Sequence, residues 1–345
     1  MVQSSRSATL QALTERLQRL PAGQFFLGHQ DALAYGVLEK KYHPFRSDMA
    51  TVSGRHPVVF GWDLGKIGQQ ARNLDGVAFE HMLSWAQAAH ERGGINTISW
   101  HLDNPVTGGD SWDTKGRVVA AVLPGGSHHD LYRSRLDALA NFLFLLRYDQ
   151  GLRQPVPIII RPFHEHLGSW FWWGEKHCSP LEYRDLWQFT WHYLTETHRI
   201  NHLLWAYSPD RFTDAAHYLS RYPGDDYVDI LGLDDYTDLG AFGRIGQLTR
   251  RLSTVVALAE ERGKVAALTE TGREGVPRNN WYTAYLLAAI LADPLAARLK
   301  YCMLWRNHSP KHHYGPYPGH PANPDFLAFV NHPAVVTLAA KEDAS

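Results

Sequence analysis

The chain of 345 residues sets 34 Lys and Arg against 35 Asp and Glu, and this near-neutral balance offers no basic footprint for nucleic acid. No apolar run approaches the ~20 residues of a membrane helix, and residues 1–20 are polar with helical periodicity and no signal-peptide core, so a soluble chain without a membrane span is expected. The two cysteines, Cys178 and Cys302, make no disulfide framework, and Cys302 lies in an apolar run that reads as a plain buried thiol.

In chain order, strand-like runs are expected at residues 25–30, 58–64, 95–101, 157–165, 203–208, 228–236, 265–271 and 300–306. Helix-like segments fall between them, at 77–92, 130–148, 181–199, 247–262 and 281–291. Within 130–148, Tyr132, Leu136, Leu139, Leu143 and Leu146 recur at the three- and four-residue spacing of one helix face. Eight strands alternating with helices predict an α/β fold of the (β/α)8 TIM-barrel type, because that number closes a barrel without remainder. No glycine fingerprint for a dinucleotide follows the first strand, and no cofactor is expected. With no repeat or linker in view, residues 1–345 are expected to be one catalytic barrel domain, with 1–23 a helical lead-in and 331–345 a C-terminal tail.

The densest chemistry is Arg161-Pro162-Phe163-His164-Glu165, followed at once by Gly168-Ser169-Trp170-Phe171-Trp172-Trp173-Gly174. The run before it, Val156-Pro157-Ile158-Ile159-Ile160, reads as a strand buried on both faces, which places Glu165 at a C-terminal strand end. Barrels carry their chemistry at those ends. A lone glutamate there also reads as a cap or ion pair, but four consecutive aromatics beside it, Trp170 to Trp173, add a surface suited to a sugar ring. The seventh strand reads Val265-Ala266-Ala267-Leu268-Thr269-Glu270-Thr271 and brings a second carboxyl, Glu270, to a strand end. Paired carboxyls at one mouth suit glycoside hydrolysis: one protonates the departing oxygen while the other attacks the anomeric carbon or activates water. A structural ion pair is the competing reading.

Other strand exits are polar or aromatic: Ser99-Trp100-His101-Leu102-Asp103-Asn104-Pro105, Asp234-Asp235-Tyr236 and Trp305-Arg306-Asn307-His308. Each has a structural alternative, with His101 a satisfied core histidine, Tyr236 a capping hydroxyl and Arg306 a surface ion pair.

At this point the chain resembles glycoside hydrolase family 26, whose best-known members are β-mannanases. The 161–174 segment resembles that family's acid/base motif, and Gly28-His29-Gln30, residues 99–105, Thr269-Glu270-Thr271-Gly272, Trp305-Arg306-Asn307 and residues 314–321 resemble its other landmarks in order. The resemblance runs over residues 24–330. It implies a retaining mechanism with Glu165 as general acid/base and Glu270 as nucleophile, the two carboxyl groups ~5 to 5.5 Å apart. It also implies that His164 contacts the sugar at the cleavage point, Tyr236 hydrogen-bonds the nucleophile, and Trp305 forms the hydrophobic floor. His101 and Arg306 would bind the next sugar toward the non-reducing end, Trp170 would support the acid/base side, and Trp112 would be an aromatic platform. His166-Leu167 departs from the family's pattern of smaller or amide-bearing residues after the glutamate, and this bears on the leaving-group subsite.

The implied partners are mannan polysaccharide or manno-oligosaccharides, with oligomeric state left open. Polymer hydrolysis implies a secreted, periplasmic or cell-surface enzyme. Relatives acting on β-1,3-xylan or mixed-linkage β-glucan share the framework and remain alternatives, as does a non-catalytic carbohydrate-binding protein, which would keep the tryptophans without needing two carboxyls. A metalloenzyme is prompted by twenty histidines, with adjacent pairs at His128-His129 and His312-His313. Adjacent pairs lack the i, i+4 spacing of a helical zinc motif and His164-Glu165-His166 is not His-Glu-x-x-His, so no metal is expected.

Overall fold

Short apolar and β-branched runs become strands at the eight expected places. The computed structural model describes residues 6–39, 46–148, 154–239 and 243–339. Its strands are β1 (Phe25–Gln30), β2 (Val59–Asp63), β3 (Ile95–Trp100), β4 (Ile158–Pro162), β5 (Leu203–Tyr207), β6 (Ile230–Asp235), β7 (Val265–Thr271) and β8 (Tyr301–Leu304). They follow one another around the sheet in chain order, and β8 pairs back onto β1 in parallel, Phe26 opposite Tyr301 and His29 opposite Leu304. The result is a closed (β/α)8 barrel. Every residue of the eight strands is buried, which is why the sequence shows continuous apolar runs and not an alternation.

Close packing inside the strands constrains side-chain size. A methyl at Gly61 would stand 2.0 Å from Oε1 of Gln30 and 2.7 Å from the Met303 sulfur, so glycine leaves the room those two side chains fill.

Helices form where the 3.6-residue period was read, at Phe79–Glu91, His129–Leu145, Pro180–His192 and Ile245–Glu261. Pro180–His192 starts on a capping box, the Ser179 hydroxyl accepting from the Glu182 N–H while the Glu182 carboxylate accepts from the Ser179 N–H. Two expected helices end or run differently. Residues 193–197 continue Pro180–His192 as a π-turn, and the segment expected at 281–291 is a π-turn, Tyr282–Leu287, leading into Ala288–Leu291. The lead-in contains Ala8–Arg19, a helix whose Leu10, Leu13 and Leu17 are buried.

Six expected strands are trimmed at the end that matters. β4 stops at Pro162 and β8 at Leu304, so Glu165, Trp305 and Arg306 lie on the segments just beyond the strands. Proline supplies no ladder donor, which accounts for the early stop of β4. Residues 335–336 of the segment read as a tail add a short ninth strand beside β1, and 338–339 pair antiparallel with Arg55–His56. Residues 1–5 of the lead-in and 340–345 of the tail lie outside the described residues.

By internal packing the chain comprises two compact units. One is Met1–Glu15, Trp62–Gln87 and Thr97–Leu231, and the other is Arg16–Gly61, Ala88–Asn96 and Gly232–Ser345. The first holds the aromatic core under Phe163, whose ring meets those of Trp172, Trp173, Tyr183 and Trp187 at 6.0 to 6.4 Å. The second packs Tyr282 against Phe326 and Phe329.

Candidate active site

In the first unit the chain leaves β4 through a turn in which Phe163 (φ 49°) and Glu165 (φ 52°) are both left-handed. A bulky residue at positive φ is a real cost, tolerated only where the surroundings over-determine it. Here the carbonyls of the turn are each held: Tyr183 Oη donates to Phe163 O at 2.9 Å and Trp173 Nε1 to His164 O at 2.8 Å. The Glu165 N–H reaches Ser208 O at 2.9 Å, and Gly168 N–H donates to Glu165 O at 3.1 Å. Outside the turn, Trp170 Nε1 donates to Oε2 of Glu165 at 2.7 Å. A methyl at Gly168 would stand 2.3 Å from Cη2 of Trp170, so glycine is what lets that indole fold back over the turn.

His164 is buried, and its ring meets His101 edge-on at 4.6 Å and Phe171 at 5.2 Å. Burial, followed by the charges of Arg161, His101 and His166, pushes its pKa well below the ordinary histidine value and keeps the ring neutral. His101 is buried too, and both its nitrogen and its ring face are engaged. Its Nδ1 meets Oδ2 of Asp63 at 2.7 Å, and one face stacks on Trp112 at 5.3 Å and 16°. Burial of Asp63 works to raise its pKa, but His101, Ser99 and the Gly65 N–H outweigh that and hold the carboxyl below its usual range. The loop bearing Trp112 is organised by Asn104, whose Oδ1 accepts from Val106 and Thr107 while its Nδ2 donates to Asp113 O and Lys115 O. Trp112 itself is 47% exposed and Trp170 43%, the two most open aromatic faces on this unit's exits.

In the second unit Glu270 is buried on β7, and Tyr236 Oη, just past β6, donates to its Oε2 at 2.7 Å. Flanking it, Thr269 donates to Asp234 at 2.6 Å and Thr271 to Asp235 O at 2.7 Å, so the alternation of β7 turns both threonines to brace β6. Trp305 follows β8 half-buried, its N–H on Thr271 O at 3.0 Å. Arg306 Nη1 donates to Tyr35 Oη at 3.2 Å, and Tyr35 Oη donates to Asp31 Oδ2 at 2.6 Å. Asn307 fixes the segment that follows. Its Oδ1 accepts from Gly315 and Tyr314, and its Nδ2 donates to Asp48 and Pro316 O. Tyr314 lies edge-on to Tyr236 at 5.7 Å, and Gly272 leaves it room.

The expected residues stand at strand ends or on the loops that follow them, with His101, Trp112, His164, Glu165 and Trp170 grouped in one unit and Tyr236, Glu270, Trp305 and Arg306 in the other. His166 and Leu167 do not face outward: His166 is buried between Tyr183 (4.4 Å) and Tyr207 (4.7 Å), and Leu167 is buried too. The departure in sequence thus falls beneath the turn. The adjacent histidine pairs engage separate partners, His128 with Ser127, His129 with Val122 O, His312 with Glu274 and His313 with Ser309 O. Sequence reasoning missed Asp63, Tyr35, Ser208 and Asp210. Asp63 and Tyr35 carried a usable signal, a polar group at or just past a strand end.

A carboxyl at or just past a strand end in each unit, Glu165 accepting from the Trp170 indole and Glu270 from the Tyr236 hydroxyl, on a (β/α)8 barrel suits the glycosidase class of this fold. The model of glycosyl hydrolase family 26 matches residues 2–284, and the chain belongs to that family. The solved structure of a family 26 β-mannanase from Bacteroides ovatus superposes with a TM-score of 0.89 at 37% identity, covering 98% of this chain and 96% of that one. A modular endo-β-1,4-mannanase from Cellulomonas fimi gives 0.89 at 35%, covering 99% and 78%. A mannan endo-1,4-β-mannosidase of Bifidobacterium adolescentis is 35% identical over 282 residues, 78% of this chain and 27% of that protein. One of Bacillus subtilis (strain 168) is 30% identical over 196 residues, 54% of this chain and 52% of that protein. This chain thus spans 27% and 52% of the lengths of those two relatives.

Proposed function

We propose that this chain is a retaining β-mannanase that hydrolyses β-1,4-mannosidic bonds in mannan, galactomannan or manno-oligosaccharides by double displacement. The observation that carries the reading is the matched treatment of two carboxyls: the Trp170 indole on Glu165 and the Tyr236 hydroxyl on Glu270, each at 2.7 Å. Both donors are uncharged, so each orients its carboxyl without itself adding charge.

Glu165 protonates the departing glycosidic oxygen while Glu270 attacks the anomeric carbon; Glu165, now ionised, takes a proton from the water that opens the glycosyl ester. The Tyr236 hydroxyl donates to Oε2 of Glu270 and orients that carboxyl for attack. His164, kept neutral by burial, presents a hydrogen-bonding ring to the sugar at the cleavage point without adding charge. His101 and Arg306 bind the next sugar, their side chains aimed by Asp63 and Tyr35. Trp305 is the floor, and Trp112 an open platform whose indole face suits the apolar C–H face of a pyranose. A polymeric substrate places the work outside the cytoplasm, at the cell surface, in a periplasm or in the medium. Among the described residues no helix is long and apolar enough to cross a membrane.

Reducing-end release from linear mannan, galactomannan, β-1,3-xylan and mixed-linkage β-glucan tests the substrate. Hydrolysis should be fastest on a mannan, because a site built to bond one hydroxyl arrangement rejects another through unpaired buried groups. Faster release from xylan or glucan would move the substrate and leave the glycosidase.

A further inference from the structure

The turn that carries Glu165 is tied to the exit of β5 at two points. Glu165 N–H donates to Ser208 O at 2.9 Å, and Gly168 N–H donates to Oδ1 of Asp210 at 2.7 Å. Gly168 is also the residue over which the Trp170 indole lies, and that indole's N–H reaches Glu165 Oε2 at 2.7 Å. A chain of contacts therefore runs from Asp210 through Gly168 and Trp170 to the Glu165 carboxyl.

We propose that Asp210 is a positioning residue for the acid/base: by fixing the Gly168 N–H it seats Trp170 and so sets the direction of the Glu165 carboxyl. This rests on the reading of Glu165 as general acid. Asp210 accepts from the backbone of the turn and acts through it. Burial pushes its own carboxyl up to about 7, against the lowering effect of the Gly168 and Leu167 N–H groups and the charge of Arg211. Near neutrality both of its forms are populated, and either one presents an oxygen to Gly168. A side chain that keeps the oxygen and loses the charge should therefore serve.

The test compares Asp210→Ala and Asp210→Asn on a manno-oligosaccharide, whose leaving group needs a proton, and on a 2,4-dinitrophenyl manno-oligoside, whose leaving group does not. Asp210→Ala should lower kcat on the oligosaccharide about 10- to 100-fold, as a misplaced group does. KM should stay within about threefold, and so should the first-step burst rate on the aryl substrate, a loss far smaller than misplacement produces. Asp210→Asn should restore both to near wild type. Equal loss on the two substrates, no loss on either, or failure of Asn to rescue would overturn the inference. If the alanine variant melts below the assay temperature, Asp210→Leu, similar in shape and without an acceptor, carries the same expectation. Glu165→Ala measured alongside separates the two readings. If it loses equally on both substrates, the acid assignment fails. If it spares the aryl substrate while Asp210→Ala leaves the ratio unchanged, only the positioning role fails.

Discussion

At the scale of the residue, the two carboxyls make opposite expectations. Glu165→Ala should cripple mannan cleavage by about 10² to 10⁴-fold, the usual worth of general acid catalysis, while sparing the first step on an aryl substrate with a good leaving group. Steady-state kinetics on the polymer and a burst measurement on the aryl glycoside check this, and equal losses would remove Glu165 from the acid role. Glu270→Ala should abolish turnover on every substrate, because no glycosyl ester forms without the attacking oxygen. Azide should then restore activity and yield a glycosyl azide of inverted configuration, read by NMR; a retained product would exchange the two assignments. These residues were legible because their chemistry is written in contiguous motifs. Asp63 was not, since its partner His101 is 38 positions away and Gly61-Trp62-Asp63 reads as the end of a buried strand. Its place at a strand end marks it as a candidate, but nothing local in the sequence pairs it with that histidine.

At the scale of the element, the turn after β4 shows where pattern reading stops. Hydrophobic period placed the strand, and the motif placed Glu165, but the left-handed conformations of Phe163 and Glu165 contradict the preference of both residue types. Tertiary contacts decide them: the Tyr183 and Trp173 donors and the aromatic walls around Phe163 come from segments that local pattern cannot see. The π-turns at Tyr193–Thr197 and Tyr282–Leu287 escaped for the same reason, because their periodicity differs from an α-helix by less than one residue per turn. Gly168 offers a clean probe of this element. Its φ is not among the left-handed ones, so alanine fits the backbone and only the Trp170 ring, half exposed, must move from a contact of 2.3 Å. Gly168→Ala should therefore lower kcat on mannan about 10-fold or more with the melting temperature nearly unchanged. A variant with normal kcat would show that the indole's seat over the glycine is dispensable.

At the scale of the whole molecule, the barrel was legible because all eight strands are buried along their length and write themselves as apolar runs, whereas the two-residue strand at Val335–Val336 is too short to carry a pattern. The same burial that makes the strands readable also fixes the response to acid. Burial lowers His29 and His202 from 6.5 to about 4, and pushes His164 and His166 well below 6.5, so the folded chain holds these rings neutral while the unfolded chain protonates them. Each such group contributes stability that is complete above its unfolded value near 6.5 and is lost as pH falls toward its folded value. Burial raises Asp210 and Asp48, which act in the opposite sense and lose stability as pH climbs through their folded values. Four histidines against two carboxyls leave the unfolded state binding more protons between pH 6.5 and about 4, so stability should fall with pH across that window. His166 isolates the effect, since both its ring nitrogens lack a hydrogen-bond partner and the ring lies between Tyr183 and Tyr207. Replacing an unsatisfied buried polar ring by an apolar one of like shape costs little at neutral pH. In His166→Phe the melting temperature at pH 7.5 should match or exceed wild type, and its fall between pH 7 and pH 4.5 should shrink by roughly 1–2 °C for each kcal/mol of linkage removed. Parallel melting curves of variant and wild type across that range would show that His166 does not titrate on unfolding.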